Sequence, residues 1–263
     1  MSSIPFQLEA ALLGAIQGLT EFLPVSSSAH LAIVPKLLGT PDPGLAFDVV
    51  LHLGTLVALL IYYRREWASI VWGVVRRESG GLRLFGLLVT ATVPGAIIGF
   101  LFQKQAETVF RSPLLNAVAL AVFGVILWWV DRQARRERTI DGMTYWQALV
   151  IGMSQALAVI PGVSRSGATI TAARLVGLDR REAAAFSFLM AAPIIAGAGL
   201  VEAPHVSLQG GVAPLVLGFF MAAVFGLLAI GGLLSFVQRR SYAVFAAYRI
   251  AAAALVFALF CCR

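Results

Sequence analysis

Charged residues are scarce in this sequence. Only 13% of its 263 residues are Asp, Glu, Lys or Arg, whereas 59% are hydrophobic and the mean hydropathy is +0.87. Soluble domains carry about twice that share of charge, so the shortage excludes a soluble fold. The composition predicts an all-α polytopic membrane protein.

Cysteine is nearly absent as well. The only two, Cys261 and Cys262, are adjacent near the end of the chain, where they are poorly arranged to bridge each other. We interpret them as lipid-facing residues, with acylation or an intermolecular bridge as alternatives. The first residues also lack a basic segment, which predicts that there is no cleavable signal peptide.

Six apolar runs are close to the ~20 residues that cross a bilayer. They are Leu45–Tyr63, Leu82–Phe102, Leu114–Val130, Glu182–Val201, Pro214–Val237 and Ala243–Cys261.

Two further apolar stretches, Pro5–Leu23 and Met143–Ile160, run into polar motifs and are followed by short helical patterns. These patterns, Ala29–Leu38 and Ala168–Val176, are too short to cross a bilayer. Each stretch therefore predicts a re-entrant helix pair, since irregular backbone is tolerated at membrane depth only inside protein or a water-filled cavity. The alternative is a core helix with a proline-containing break.

The net charge of +7 is interpreted as a topology signal and not as a sign of a nucleic-acid partner. The positive-inside rule predicts three cytoplasmic loops, and the basic residues of those loops are Arg64, Arg65, Arg76, Arg77, Arg83, Arg132, Arg135, Arg136, Arg138, Arg239 and Arg240. Loops 103–113 and 202–213 are poorer in Lys and Arg, so both are predicted to lie outside. Six spans then place both chain ends outside.

The chain contains an internal repeat. A shift of 138 residues aligns Gly14 with Gly152, Gln17 with Gln155, Leu19 with Leu157, Val25 with Val163, Ser26 with Ser164, Ser28 with Ser166, Leu37 with Leu175 and Gly39 with Gly177. Each copy precedes three spans, so the second copy is inverted relative to the first. This predicts an inverted-topology repeat with halves 1–138 and 139–263, whose re-entrant hairpins cover about 5–39 and about 143–177.

The first half supplies acid, hydroxyl and imidazole groups. Gln17 and Glu21 lie one helical turn apart, and their oxygens suit a hard divalent cation such as Mg²⁺ or Ca²⁺. A hydrogen-bonded polar pair without metal is the alternative. The next residues with reactive groups are Ser26, Ser27 and His30, which are candidates for nucleophilic attack and proton transfer.

The second half supplies groups that bind anions. Pro161 and Gly162 turn the chain before the fork of Arg165 and a short helix. The hydroxyls of Ser164, Ser166 and Thr169 and the free N–H groups of that helix start favour phosphate. The alternative is a structural ion pair between Arg165 and Glu21. Arg165 has both roles, anion binding and ion pairing, if this pair opens when the ligand arrives.

At these two motifs, QGLTEFLPVSSSAH and PGVSRSGAT, the chain resembles the bacterial undecaprenyl pyrophosphate phosphatase family of the bacitracin-resistance type. The segment FDVVLHLGT, from Phe47 to Thr55, is similar to the family's segment after the first hairpin. The resemblance implies six spans with two re-entrant pairs, dependence on a divalent metal, and hydrolysis of undecaprenyl pyrophosphate at the outer face of the bacterial inner membrane. That reaction recycles the lipid carrier of peptidoglycan synthesis. Many members have a second glutamate where this chain has Gln17, which puts metal ligation by residue 17 in doubt.

Residues and resemblance together predict a mechanism. Arg165, the loop N–H groups and the cation hold the pyrophosphate, and Ser27 attacks with His30 as base or orienting group. Glu21 ligates metal or manages a proton. Direct attack by water that His30 activates is the alternative. Asp48 and His52 are either support for the site or an internal polar pair. Aromatic candidates for lining the entrance of the lipid tail are Phe6, Phe22, Phe47, Trp67 and Trp72.

The sequence bears on two other functional classes. An inverted-repeat transporter or flippase would bind a phosphorylated lipid without cleaving it. Membrane lipid phosphatases with a histidine nucleophile are disfavoured, because their Lys-to-Arg-Pro and PSGH elements are missing. The predicted partners are the lipid substrate and the bilayer, and a homodimer is left open.

Overall fold

The computed structural model describes residues 5–102, 112–134, 138–205 and 211–261 of the chain. Within these ranges it contains no β-strand and eleven α-helices. They are α1 (Phe6–Phe22), α2 (Ser27–Leu38), α3 (Leu45–Tyr62), α4 (Arg64–Val75), α5 (Ser79–Leu101), α6 (Pro113–Gln133), α7 (Tyr145–Ala156), α8 (Arg165–Leu175), α9 (Arg180–Glu202), α10 (Val212–Val237) and α11 (Ala243–Cys261). Arg135, Arg136, Cys262 and most of the predicted outer loop 103–113 lie outside the described residues.

The prediction of an all-α protein with six spans is confirmed. Helices α3, α5, α6, α9, α10 and α11 are long and apolar enough to cross a membrane. Their bounds differ from the predicted ones by three residues at most, because polar residues at the ends of an apolar run continue the helix.

One helix was not predicted. The sequence predicts a loop for the basic segment after α3, but residues Arg64–Val75 form α4. This helix buries Ile70 and Gly73 and leaves Trp72 exposed. Gly73 contacts Gly81 of α5, since a Cβ added to Gly73 would lie 2.7 Å from the Gly81 Cα. The residues of α4 have an amphipathic pattern. The helix has only 12 residues, so its sequence does not predict a span.

The two short helix pairs, α1–α2 and α7–α8, share an unusual backbone. Ser26 has a φ of 73° and Ser164 a φ of 70°, a left-handed conformation that non-glycine residues rarely adopt. The two serines are 138 residues apart, as are Gly39 and Gly177, which also have positive φ. The repeat read from the sequence therefore extends to local geometry. The depth of these loops in a membrane stays a prediction.

Each pair packs against a span of the other half. Gly14 of α1 contacts Gly218 of α10, and Gly152 of α7 contacts Ala91 of α5; a Cβ at either glycine would come within 2.4 Å of the facing carbonyl oxygen. Only glycine permits this approach. Helices α5 and α10 occupy equivalent places in the two predicted halves, so each of these contacts joins one predicted half to the other.

The basic loops gather at one end of the molecule. Arg83 donates a hydrogen bond to the carbonyl of Met143, and Arg174 and Arg180 both form ion pairs with Asp131. The N–H of Tyr242 donates to the same carboxylate. These contacts bring the described parts of the three loops predicted to be cytoplasmic together.

Candidate active site

The two loops that link the helices of each pair contact each other. The N–H of Gly162 donates to Ser26 Oγ at 3.0 Å, and Ser166 Oγ donates to the carbonyl of Leu23 at 3.0 Å. In both bonds the donor belongs to the second half of the chain and the acceptor to the first. Polar residues far apart in the chain therefore share one site.

Glu21 is the centre of this site. Its Oε1 lies 2.8 Å from Arg165 Nη2, while its Oε2 accepts hydrogen bonds from Ser27 Oγ at 2.6 Å and from Gln17 Nε2 at 3.0 Å. The carboxylate is only 5% exposed. Four residues that the sequence marked for catalysis or binding are thus in direct contact, and the ion pair considered as an alternative for Arg165 is present.

His52 also reaches Glu21. Its Nε2 lies 3.4 Å from Glu21 Oε2, and its Nδ1 lies 2.7 Å from the backbone carbonyl of Asp48. Of the two interpretations considered for His52, the contact with Glu21 favours support for the site. A histidine in the apolar helix α3 was the available signal, since ionisable groups in spans tend to mark sites.

His30 lies apart from Ser27. Its Nδ1 is 2.7 Å from the carbonyl of Ser26, and its Nε2 is 2.6 Å from the hydroxyl of Tyr248, whose ring stacks on the imidazole. Both ring nitrogens are thus occupied by partners other than the Ser27 hydroxyl. The role of His30 as base stays a prediction, and it requires a rearrangement of these bonds. Tyr248 was missed because it follows His30 by 218 residues.

The serines of the second loop begin helix α8. Ser164 caps it by accepting a hydrogen bond from the N–H of Gly167 at 3.0 Å. Ser164 Oγ is 3.3 Å from Ser166 Oγ, and the aligned pair Ser26 and Ser28 has the same separation. The short helical pattern is predicted over Ala168–Val176, but the helix begins at Arg165, because Ser164, which has a positive φ, is its N-cap.

Thr169 is buried behind Arg165. Its Oγ1 donates to the Arg165 carbonyl at 2.8 Å and lies 2.6 Å from Ser187 Oγ. The Ser187 carbonyl in turn accepts a bond from Arg165 Nη1 at 3.3 Å. In this arrangement Thr169 and Ser187 brace the arginine. Ser187 gave no sequence signal, since it is a lone serine in an apolar span.

A cavity of about 230 Å³ opens beside Glu21. Five of the predicted site residues line it, namely Glu21, Ser27, Ser164, Arg165 and Ser166, together with His52. Ser26, His30, Gln17 and Thr169 are not among its lining residues. The cavity combines a carboxylate, hydroxyls, an arginine and a helix start, which suits an anion with several oxygens.

The donor atoms fit a cation only in part. Gln17 Oε1 is buried and has no hydrogen-bond partner among the described residues. It belongs to the same amide group whose Nε2 donates to the Glu21 carboxylate. No cluster of three His, Cys, Asp or Glu side chains that could hold a metal occurs in the described part of the chain. Mg²⁺ commonly takes one or two protein oxygens and completes its shell with water and substrate phosphates. Glu21 and Gln17 fit that kind of binding.

A second, apolar cavity of about 370 Å³ adjoins the first. It lies between α3, α5 and α9, and the two cavities share Leu45, Val49, Ile194 and Ala198. The five aromatic residues predicted to line a tail entrance are not among the residues that line this cavity, and their role stays a prediction. Phe22, for example, is fully buried and packs edge-on against Phe188 at 5.2 Å.

Comparison with known proteins identifies the family of this chain. Residues 10–255 match the family model described as bacitracin resistance protein BacA. A protein named undecaprenyl-diphosphatase from Moorella thermoacetica is 50% identical, over 97% of this chain and 98% of its own. Proteins of the same name from Gemmatimonas aurantiaca and Pelotomaculum thermopropionicum are 48% and 45% identical over 97% of this chain, and over 98% and 97% of their own lengths. The chain therefore belongs to the bacitracin resistance protein BacA family.

Proposed function

We propose that this protein hydrolyses undecaprenyl pyrophosphate to undecaprenyl phosphate and inorganic phosphate, which recycles the lipid carrier of peptidoglycan synthesis and confers bacitracin resistance. The observation that carries the proposal is the contact of Ser27 and Arg165 with the same carboxylate, Glu21, at the wall of a cavity. A nucleophile bonded to a base beside an anion-binding group is the equipment of phosphoryl transfer. Relatives named as diphosphatases give the substrate.

The experiment that tests the function is phosphate release by the purified protein in detergent with Mg²⁺. We expect release from undecaprenyl pyrophosphate. Binding of the intact substrate without release, by folded protein, would instead support the transporter or flippase, which nothing in the site favours.

The mechanism that we propose starts at the Ser27 hydroxyl. Ser27 Oγ bonds to the terminal phosphorus as Glu21 accepts its proton over the 2.6 Å hydrogen bond. The bond from that phosphorus to the bridging oxygen breaks, and undecaprenyl phosphate departs with this oxygen. Water then attacks the phosphorus of the phosphoserine, and one of its protons passes to Ser27 Oγ as the bond from that oxygen to phosphorus breaks, which restores the hydroxyl and releases phosphate. The proton that Glu21 took up leaves with a phosphate product. Arg165 exchanges its bond to Glu21 for bonds to the phosphate oxygens and offsets their charge.

A divalent cation, Mg²⁺ or Ca²⁺, belongs to this proposal. Glu21 and the unpartnered Gln17 Oε1 are the residues that would hold it. When bound, the cation supplies positive charge that neutralises phosphate oxygens.

Replacing Gln17 with glutamate is expected to tighten cation binding. A second carboxylate raises the charge of the oxygen donor set, and ligand charge strongly influences affinity for such ions. We expect the Mg²⁺ concentration for half-maximal activity to fall about tenfold, which corresponds to ~1.4 kcal/mol. Without metal, the variant should unfold at a lower temperature, because two carboxylates then repel each other. Gln155→Glu, in the other half, is the matched control. An unchanged Mg²⁺ requirement in Gln17→Glu would remove residue 17 from the metal site.

The apolar cavity between α3, α5 and α9 is the proposed place for the first isoprene units. It is continuous with the site through shared residues, and its walls include Gly99, Pro193 and Gly197. A polyprenyl chain buries apolar area there at roughly 25 cal/mol per Å².

Gly197→Leu should discriminate against long tails. A Cβ at Gly197 meets no atom within 4 Å, so the leucine enters the cavity without strain. We expect the KM for undecaprenyl pyrophosphate to rise about tenfold, a loss of ~1.4 kcal/mol of tail binding, while the KM for a short isoprenyl pyrophosphate changes little. Gly232→Leu is the control, because Gly232 is also in an open helical position but lies away from the cavity. Equal effects of both variants on both substrates would contradict this tail position.

We further propose that the protein resides in the bacterial inner membrane with its site facing outward. Helix ends Leu45, Phe100 and Glu202 border the apolar cavity, and they belong to the end of the bundle away from the basic loops. The distribution of arginine supports placing those loops in the cytoplasm. Two re-entrant pairs at mid-membrane depth are part of the same proposal.

A further inference from the structure

Arg249 is a fully buried cation in α11. Its Nε donates to the carbonyl of Leu120 at 3.2 Å and its Nη1 to that of Pro24 at 3.2 Å. Its Nη2 donates to the carbonyls of Gly162 and Val163 at 2.7 and 2.9 Å. In the part of the chain that the structure describes, its hydrogen-bond partners are all carbonyl oxygens. Burying a charge without a neighbouring carboxylate costs free energy, so we expect Arg249 to have a role beyond packing.

These bonds hold both loops of the site. Pro24 precedes the Ser26–Ser28 run of the first loop, whereas Gly162 and Val163 precede Ser164 in the second. The described peptide bonds are all trans, so the Val163 carbonyl and the Ser164 N–H point in opposite directions. By holding that carbonyl, Arg249 turns the Ser164 N–H to the side away from itself. Ser164 lines the cavity and has a left-handed φ of 70°, a conformation that needs such support.

The guanidinium also lies directly behind the start of α8. Arg249 Nη1 is 2.6 Å from the position of a Cβ built on Gly167, which is in the first turn of that helix. Because no acid pairs with Arg249 among its partners, its charge adds to that of Arg165 and to the positive end of the helix dipole. An anion in the cavity meets the sum of these fields.

We infer that Arg249 is a positioning residue for the reaction, which aims the N–H groups at the start of α8 towards a phosphate group and adds uncompensated positive charge behind them. It acts through the second loop and does not touch the substrate. The inference rests on the proposed pyrophosphate site, but it holds whether Ser27 or water attacks the phosphorus.

The first test compares two conservative replacements. Arg249→Lys keeps the charge but loses the fork that reaches four carbonyls. Arg174→Lys is the matched control, because Arg174 is equally buried and bonds to the Leu178 and Ala134 carbonyls at the other end of α8. We would measure the thermal midpoint in detergent, the Kd for inorganic pyrophosphate, and kcat and KM.

We expect Arg249→Lys to weaken pyrophosphate binding about tenfold and to lower kcat about 10²-fold, the effect of losing one aligned donor. Arg174→Lys should lose comparable thermal stability and keep both values within about twofold. Unchanged binding and kcat in Arg249→Lys, or equal losses in the control, would overturn the inference. Since binding is measured apart from turnover, a wild-type protein that binds pyrophosphate without hydrolysis would refute the proposed function alone.

A second test needs no variant and so does not depend on folding. Hydrogen exchange of the wild-type protein is followed at the amides of residues 164–166, with and without inorganic pyrophosphate. We expect the ligand to slow exchange at Ser164 at least tenfold, as a new hydrogen bond would. Unchanged exchange at Ser164 under saturating ligand would contradict the inference.

Discussion

Replacing Ser27 with alanine is expected to lower kcat for undecaprenyl pyrophosphate about 10³-fold or more, since loss of a nucleophile removes the covalent route. Binding of substrate should change little, because the hydroxyl hydrogen-bonds Glu21 in the free protein. Phosphate release and substrate binding are measured side by side. Thr20→Val is the control, because the Thr20 hydroxyl bonds to the Ile16 carbonyl within α1 and its loss should leave kcat within about twofold.

The same variant separates the two chemical routes. The serine route predicts that rapid acid quench of wild-type protein traps phosphate on Ser27. If Ser27→Ala retains most of its activity and no phosphoserine is found, water attacks directly, and His30 must leave its bonds with Ser26 and Tyr248 to activate it.

Replacing Arg165 should have the second large effect. Arg165→Gln removes the only guanidinium that lines the cavity in the described residues, and we expect kcat/KM to fall about 10³-fold. Arg180→Lys is the control, because Arg180 pairs with Asp131 at the basic end of the molecule. Phosphate release in detergent gives kcat/KM for both variants. Near-normal activity in Arg165→Gln would refute the role of Arg165 in binding the substrate.

The ion pair with Glu21 gives this prediction a sharper form. If Arg165 binds the anion, Glu21→Gln frees it from its 2.8 Å partner, and metal-free binding of inorganic pyrophosphate should strengthen about tenfold. Arg165→Gln and the double variant should both lose that binding. A purely structural pair predicts instead that Glu21→Gln leaves anion binding unchanged, and that it destabilises the protein as much as Arg165→Gln does.

Much of the fold was predictable from the sequence. The six spans follow from apolar run length, and the repeat follows from aligned residues such as Ser26 and Ser164. The positive φ that these two serines share was found only in the structure. Helix α4 was missed because an amphipathic pattern of twelve residues between arginines reads as a loop.

The candidate site was only half predictable. Glu21, Ser27 and Arg165 belong to dense polar motifs, so their types and positions signalled chemistry. Ser187, Tyr248 and Arg249 are single polar residues inside apolar helices, and their partners lie between 18 and 225 residues away. No local pattern encodes such contacts, since they depend on which helices become neighbours.

The sequence by itself determined the class of molecule, the number of spans, the family and the chemical groups available. These depend on composition, run length and short motifs, which are local properties of the chain. Only the tertiary structure decided that Glu21 joins Ser27 to Arg165, that His30 pairs with Tyr248, and that Arg249 holds both loops. Those outcomes depend on packing between the halves, where glycines such as Gly14 and Gly152 let helices approach closely enough to bring distant groups within hydrogen-bond distance.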